Sequence, residues 1–435
     1  SVDRGEVIYD YNGKKRFIPA SNIKLFTTAA ALEYLSPYFV YETELLTNGT
    51  IDNGILHGDL IVAGKGDPTL SSYFHNGRPE TVFETWADSL FHKGIKEIRG
   101  NMIVDTSYFH DTPLGTGWSW DDEIFCYSAQ RQAFSFRDNC MDIFVSPGVK
   151  LGSKATIRTE PESRHVNIDN RLTTGRQDSE TEITFSMDNC TNILQVSGVI
   201  PYGTQELKGS VAIKNPASYG AAIFKEILGK KGILFSGRVY ISGKKIANNT
   251  NLRLDVYRSP KLSKIIALIN KESKNFHSEQ IFLTMGKELK GQGNSQNAVA
   301  VVKGFLKGTD VGLRDLLMVD GSGLSRYNLA TPRDVVMLLS FMSKHRHFNV
   351  FYDSLSIAGV DGTLKNRMRG TPAQNNVRGK TGSMNNIRNL SGYVRTQDGE
   401  LLAFSMMCNH FSSAAHKVNE FFDRICLRLS QFTRK

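Results

Sequence analysis

The sequence predicts a multidomain α/β protein, on three observations. Strand-like segments open and close the chain around a mainly helical block. From about Pro147 to Gly209 the composition turns polar, Thr- and Ser-rich and β-prone, with Asn, Asp and Gly at turns. At 435 residues the chain also exceeds what one ordinary core holds, so two or three domains are expected. The predicted division is a first domain from 1–66 and 252–435, an inserted α/β domain from 67–148 and 210–251, and a small β-rich domain, 149–209, nested within it. In the first domain the terminal strands would pair in one sheet with helices against it.

The elements follow in order. GEVIYDYNGKKRFIP alternates around Asn12-Gly13, the strongest short hairpin signal. A helix rich in alanine and leucine then starts at Pro19-Ala20-Ser21 and runs to about Leu35. YETELLTNGTIDNGILHGDLIVAG reads as a second hairpin near Gly54, and Lys65-Gly66-Asp67-Pro68 punctuates the chain as a domain boundary. A helix over Val82 to His92 and a strand over Glu97 to Asp105 precede a Trp-rich stretch, GTGWSWDDEIFCYSA. After the β-prone segment, NPASYGAAIFKEILGKKG is a helix ending at Gly232, followed by the strand ILFSGRVYIS. The pattern is mainly helical from Pro260 to about Leu306, and another helix starts after Thr331-Pro332. VRGKTG and IRNLSGYVRTQDGELLAFSMMC return to strands, turning at Asp398-Gly399, and a helix near Lys417 to Leu429 closes the chain.

Lys and Arg outnumber Asp and Glu by 53 to 43, a net charge of +10. The basic residues are dispersed, with no block of like charge, which disfavours nucleic acid as a partner and suits an anionic polymer such as cell wall. No apolar run approaches the ~20 residues a membrane span needs. The five cysteines form no C-x-x-C pair, which argues against metal or thioredoxin-like chemistry; Cys126 and Cys140 are close enough to bridge a loop, though spacing alone does not pair them. The chain opens at SVDRGEVIYD without a charged and apolar leader, so it is either cytosolic or a mature, trimmed segment.

Three short motifs carry candidate chemistry. In Ser21-Asn22-Ile23-Lys24, positions i and i+3 share a helix face, so a lysine amine would sit one turn from a serine hydroxyl that needs a base. The helix N-terminus favours developing negative charge, and burial would lower the lysine pKa enough for base chemistry. Alone, the pattern is equally that of an N-cap serine, and it recurs at Ser242 and Lys245 in a charged turn. Ser273-Lys274-Asn275, between two helices, offers a second hydroxyl and an orienting amide; S-x-N recurs at Ser383-Met384-Asn385. Lys380-Thr381-Gly382, at a strand, is the sole K-[ST]-G and can hold a carboxylate while its glycine admits substrate to the backbone. Each motif is weak; the three in order, at a helix start, an interhelical loop and a strand, form a known set for penicillin-binding proteins and class A β-lactamases.

On these motifs, and on PASNIKLFTTAAAL, AGKGDPTL, GWSWDDEIFCYSA, DGSGLSRYNLATP, AGVDGTLKNR and GKTGS, nearly the whole chain resembles the class C low-molecular-mass penicillin-binding proteins, the D-Ala-D-Ala carboxypeptidase and endopeptidase family. The long gap between Ser21 and Ser273 is characteristic of that family, which places two extra domains there. The resemblance implies a serine β-lactamase/penicillin-binding-protein-like domain, an antiparallel sheet flanked by helices, with two nested insertions. It implies Ser21 as nucleophile on the D-Ala carbonyl, Lys24 as general base, and Ser273, Asn275 and Lys380 completing the catalytic set. Backbone N–H groups of Ser21 and Ser383 would form the oxyanion hole, and Lys380, Thr381 and Gly382 would receive the terminal carboxylate. It further implies Asp122 and Tyr127 (with Asp121 as a substitute for Asp122) around the stem-peptide diaminoacid, contributions from Arg326 and Asn385, and a bridge between Cys126 and Cys140. No cofactor or metal is implied. Peptidoglycan stem peptides would be the substrate and β-lactams covalent inhibitors. The expected location is periplasmic or the cell-envelope exterior, the missing leader being explained by processing or trimming.

Two rivals stand beside this reading. A β-lactamase on the same fold would add fast deacylation by a positioned water; the long insertion and the lack of an evident deacylating glutamate segment disfavour it. A catalytically inactive wall-binding protein is disfavoured by the intact motifs. Neither G-x-S-x-G nor H-E-x-x-H occurs, which argues against a Ser-His-Asp hydrolase and a zinc peptidase, and His345 and His347 read as a solvated helix end.

Overall fold

The computed structural model describes residues 1–163, 165–187, 192–248 and 250–434. Its helices, in chain order, are α1 (Ile23–Leu35), α2 (Glu80–His92), α3 (Pro216–Lys230), α4 (Leu262–Glu272), α5 (Asn275–Lys290), α6 (Ser295–Leu306), α7 (Pro332–Ser343), α8 (Phe348–Ser354) and α9 (Ala415–Ser430). The chain divides into one unit of Ser1–Val40, His110–Trp118 and Pro260–Lys435, and another of Tyr41–Phe109 and Ser119–Ser259. The boundaries expected at 66 and 252 therefore fall at 40 and 260. The reason is pairing: strand Glu42–Thr47 bonds to both Leu252–Arg258 and Leu60–Ala63, which ties those segments to the second unit.

In the first unit, α1 is buried from Ile23 to Leu32, with Lys24, Thr27 and Thr28 as its polar members. Its three alanines (Ala29, Ala30, Ala31) leave room for neighbours, and it packs against α4, α5 and α6. A four-stranded antiparallel sheet runs in the order Ser356–Ile357, Arg378–Met384, Ile387–Arg395, Leu401–Asn409. Leu390, Val394, Leu402 and Phe404 of this sheet form a core with Val418, Phe422 and Cys426 of α9. The register sets Lys380 opposite Ser391, one side of the strand toward the start of α1.

The opening hairpin expected over GEVIYDYNGKKRFIP does not form. Asn12 does turn the chain, with φ 58°, and Gly13 N–H donates to Asp10 Oδ1 at 2.8 Å, but the flanks do not pair with each other. Val7, Tyr9 and Tyr11 are 62%, 82% and 76% exposed, so the alternation has no core to face. This segment joins the unit by a few bonds, among them Val2 N–H to Leu401 O and the pair Phe17 and Ala330.

The second unit holds a five-stranded sheet in the order Val239–Ser242, Met102–Asp105, Leu60–Ala63, Glu42–Thr47, Leu252–Arg258. The stretches read as single strands at Glu97 to Asp105 and ILFSGRVYIS are each broken in two, so one half joins this sheet and the other a smaller one. The β-prone segment contributes a three-stranded sheet of Glu182–Met187, Ile193–Pro201 and Asn167–Gly175. Its Leu172, Leu194, Val196 and Ile200 lie in the same core as Phe83, Trp86 and Phe224 of α2 and α3. Cys126 and Cys140 are disulfide-bonded; Cys190 lies outside the described residues.

Candidate active site

Ser21 stands in a single 3-10 turn, Ala20–Asn22, that leads into α1. Ala20 has φ 44°, a left-handed geometry that side chains seldom adopt and that persists only where packing imposes it. The packing is visible at Gly323: a Cβ there would lie 1.9 Å from the Ala20 carbonyl oxygen, so only glycine fits. One turn on, the fully buried Lys24 donates to Ser21 Oγ at 2.9 Å, Asn275 Oδ1 at 2.7 Å and the Ser322 carbonyl at 2.5 Å. An ammonium has three N–H donors, and all are used. The amide and carbonyl oxygens are acceptors only, whereas the serine hydroxyl can reverse the bond. A neutral Lys24 amine can therefore keep two N–H bonds and turn its lone pair to the Ser21 hydroxyl.

The Ser322 carbonyl is held by two buried carboxylates. Glu279 of α5 accepts from Gly321 N–H at 2.9 Å and Ser322 N–H at 2.7 Å. Asp320 accepts from Gly323 N–H, Ser325 N–H, Asn328 Nδ2 and Trp118 Nε1, at 2.8, 2.7, 2.8 and 3.0 Å. Between them they fix the loop that runs from Asp320 to Ser325.

Ser273 joins α4 to α5 in left-handed geometry, φ 58°, and receives a hydrogen bond from Lys380 Nζ at 2.8 Å. Lys380, fully buried, also donates to the Thr381 carbonyl at 2.9 Å. Thr381 Oγ1 donates to Thr363 Oγ1 at 2.9 Å. Gly382 brings the strand against the nucleophile segment, since a Cβ would lie 2.6 Å from the Pro19 carbonyl oxygen. Ser383 and Asn385 are exposed at the end of that strand, and Arg326 is exposed in its loop; no hydrogen bond ties Arg326 or Asn385 to the cluster among the described residues.

Burial lowers the Lys24 pKa from 10.5 to about 7, with Asp320 and Glu279 opposing the fall. Burial likewise holds Lys380 well below the usual lysine value, and the positive charge of Lys24 adds to the effect. Two buried amines this close disfavour each other's charged form, so the site tends to hold one proton where two free lysines would hold two.

Asp122 and Tyr127 belong to the second unit. There the Tyr127 hydroxyl donates to Asp122 Oδ1 at 2.6 Å, and desolvation together with this carboxylate pushes the phenol pKa up. Phe125 stacks on Tyr127 with centroids 5.3 Å apart. The other S-x-x-K lies at the end of a strand, where Ser242 Oγ donates to the Lys244 carbonyl. His345 is not a solvated end: it is half-buried and its Nε2 lies 2.9 Å from Glu33 Oε2. The sequence reading assigned no role to Glu279, Asp320, Ser322 or Thr363. The one signal for Asp320, Ser322 and Thr363 was the pair of quoted segments DGSGLSRYNLATP and AGVDGTLKNR; Glu279 lies outside both.

The sequence profile of the D-Ala-D-Ala carboxypeptidase 3 (S13) family matches residues 1–426. The chain is 32% identical, over 98% of its length and 79% of the relative's, to a D-alanyl-D-alanine carboxypeptidase of an Actinomadura species. It is 30% identical to the D-alanyl-D-alanine carboxypeptidase DacB of Haemophilus influenzae, over 95% and 85% of the two chains. The crystal structure of penicillin-binding protein 4 from Haemophilus influenzae matches with a TM-score of 0.88 at 28% identity, covering 99% of this chain and 95% of that one. The same protein complexed with a β-lactam matches with a TM-score of 0.83 at 27% identity and the same coverage.

Proposed function

The chain belongs to the D-Ala-D-Ala carboxypeptidase 3 (S13) family and is a serine-type D-Ala-D-Ala peptidase, and we propose that Ser21 is its nucleophile on peptidoglycan stem peptides. One observation carries the assignment: the Lys24 amine lies 2.9 Å from Ser21 Oγ, with its other two contacts made to oxygens that can only accept.

In the proposed reaction, neutral Lys24 takes the Ser21 proton as Oγ attacks the carbonyl carbon of the penultimate D-alanine. The oxyanion is received by the backbone N–H groups of Ser21 and Ser383. The tetrahedral intermediate collapses, and the departing D-alanine nitrogen takes a proton through the Ser273 hydroxyl, supplied by the buried lysine pair. Lys380, Thr381 and Gly382 receive the terminal carboxylate, an anion next to a cation with a hydroxyl donor and an uncrowded backbone beside it. Water then cleaves the acyl-enzyme and Ser21 regains its proton. Arg326 and Asn385 extend this site toward the substrate in the same reading. Asp122 and Tyr127 recognise the stem-peptide side chain, a carboxylate suiting its ammonium. Where the bond cut is a cross-link, the leaving group is the side-chain amine of a second stem, and the same steps give endopeptidase activity.

The proposed place of work is the cell envelope outside the cytoplasmic membrane, where peptidoglycan lies. No helix among the described residues is long and apolar enough to cross a membrane. The test is intact mass after incubation with benzylpenicillin, with Ser21→Ala alongside. A lasting one-drug adduct on the unaltered protein, absent from Ser21→Ala, supports the proposal. Rapid loss of the drug with no lasting adduct points to a β-lactamase, and an unmodified protein with unconsumed drug overturns the nucleophile assignment.

A further inference from the structure

We propose that Glu279 is a positioning residue for the base: through the backbone of Gly321 and Ser322 it aims the Ser322 carbonyl at Lys24, and its carboxylate tunes the charge of that amine. The inference rests on Lys24 being the base of Ser21.

Glu279 is a fully buried acid on α5, one turn after Asn275, which accepts from Lys24 directly. A carboxylate buried in protein needs strong partners, and Glu279 has two short backbone bonds to consecutive residues, 2.9 Å to Gly321 N–H and 2.7 Å to Ser322 N–H. Two donors on one oxygen orient that peptide pair. Beyond the Ser322 Cα lies its carbonyl, which accepts from Lys24 at 2.5 Å and whose own peptide is held on its other side by Asp320, through Gly323 N–H at 2.8 Å. One helix turn thus holds Lys24 twice, directly through the Asn275 amide and indirectly through the loop.

The loop is also packed closely against α5. At Gly321 a Cβ would lie 2.5 Å from the Phe282 side chain, and Ser278 Oγ donates to the Gly321 carbonyl at 2.7 Å. Thr27 Oγ1, one turn along α1 from Lys24, donates to the same carbonyl at 2.8 Å. The loop is therefore stitched to both helices that carry the site.

The charged groups around Lys24 are Glu279 on α5, Asp320 in the loop and Lys380 on the strand. His277 is buried on the same turn of α5, edge-on to Phe276. Glu279 and Asp320 favour the ammonium, while burial disfavours it. Without either acid the amine would stay neutral to lower pH and become a weaker base. Glu279 thus sets both the direction of the Lys24 lone pair and the pH at which it becomes available.

The test is the pH dependence of benzylpenicillin acylation in Glu279→Gln and Glu279→Asp, against the unaltered protein. Glutamine keeps an oxygen for both N–H groups and removes the charge. Its acid limb should move to lower pH by about half a unit or more, with acylation at the plateau slower by about tenfold. Aspartate keeps the charge and shortens the reach, so its acid limb should stay in place while the rate falls. Thermal melting identifies any variant that does not fold, and if glutamine is not tolerated, a rate loss in Glu279→Asp at an unmoved acid limb decides for the proposal. An acid limb in Glu279→Gln that coincides with the unaltered one overturns it, as does an undiminished rate in Glu279→Asp. Adduct formation by the unaltered protein separately reports whether Ser21 is the nucleophile.

Discussion

In the first unit Lys24 and Lys380 have no exposed surface, while in the second Trp120 is 84% exposed and Tyr127 47%. Both regions bring polar groups together. Around Ser21 every polar atom of Lys24 has a fixed partner and the loop beside it is locked by two buried acids. Asp122 and Tyr127 lie in two successive 3-10 turns, where the Tyr127 hydroxyl donates to Asp122, Phe125 stacks on the Tyr127 ring and Cys126 is disulfide-bonded to Cys140. Burial changes the chemistry of an amine; the half-buried Asp122 carboxylate accepts from a phenol at the surface. The first arrangement suits making and breaking bonds, and the second suits choosing what is presented.

The contrast can be broken or sharpened by substitution. The largest effect is expected at Lys24→Ala, which removes the proposed base and should slow acylation by benzylpenicillin about 10³-fold or more, read by mass against time. Ser273→Ala should follow at about 10²-fold, since the hydroxyl bonded to Lys380, the proposed proton shuttle, is lost while Lys24 remains. Next is pH. A Lys24 amine with pKa about 7 is charged below that value and free to accept above it, so acylation of the unaltered protein should rise as pH increases from about 6 to 8. A flat profile across that range would remove Lys24 as the base. The smallest effect belongs to the exposed turn: Tyr127→Phe should leave benzylpenicillin acylation within about twofold. It should reduce kcat/KM about three- to tenfold for a stem peptide with a cationic side chain, the size of one lost hydrogen bond.

The division between regions also explains what could be read from sequence. Helix spacing alone puts Ser21 and Lys24 on one face; the contacts of Lys24 with Asn275 and of Lys380 with Ser273 were expected from three short motifs in order, not from spacing. Glu279 was not legible, because it works through backbone groups of a loop far along the chain, and a lone glutamate on a helix carries no pattern. The loop itself was quoted as a segment, yet its glycines gain meaning only from the carbonyl of Ala20 and the ring of Phe282 beside them. The opening strands were misread for a similar reason. Alternation at Val7, Tyr9 and Tyr11 is a local signal, whereas a strand requires a partner edge and a face to cover. The boundary falls at Pro260 because strand Glu42–Thr47 pairs with both Leu60–Ala63 and Leu252–Arg258, so all three belong to the second unit.

The pair of buried lysines has a consequence for the stability of the protein. Each amine, ionised freely in the unfolded chain, must shed its proton or carry its charge into a dry interior. For Lys24 the folded value is about 7 and the unfolded one near 10.5, so between these limits the unfolded chain binds more protons. Stability must therefore rise with pH across that window and carry the full penalty below it. A methionine of similar length would carry no such penalty. Lys24→Met should melt higher than the unaltered protein at pH 7, by about 1 kcal/mol of added stability, and should lose part of the rise above it. Selection for fold strength alone would discard the residue that the chemistry needs.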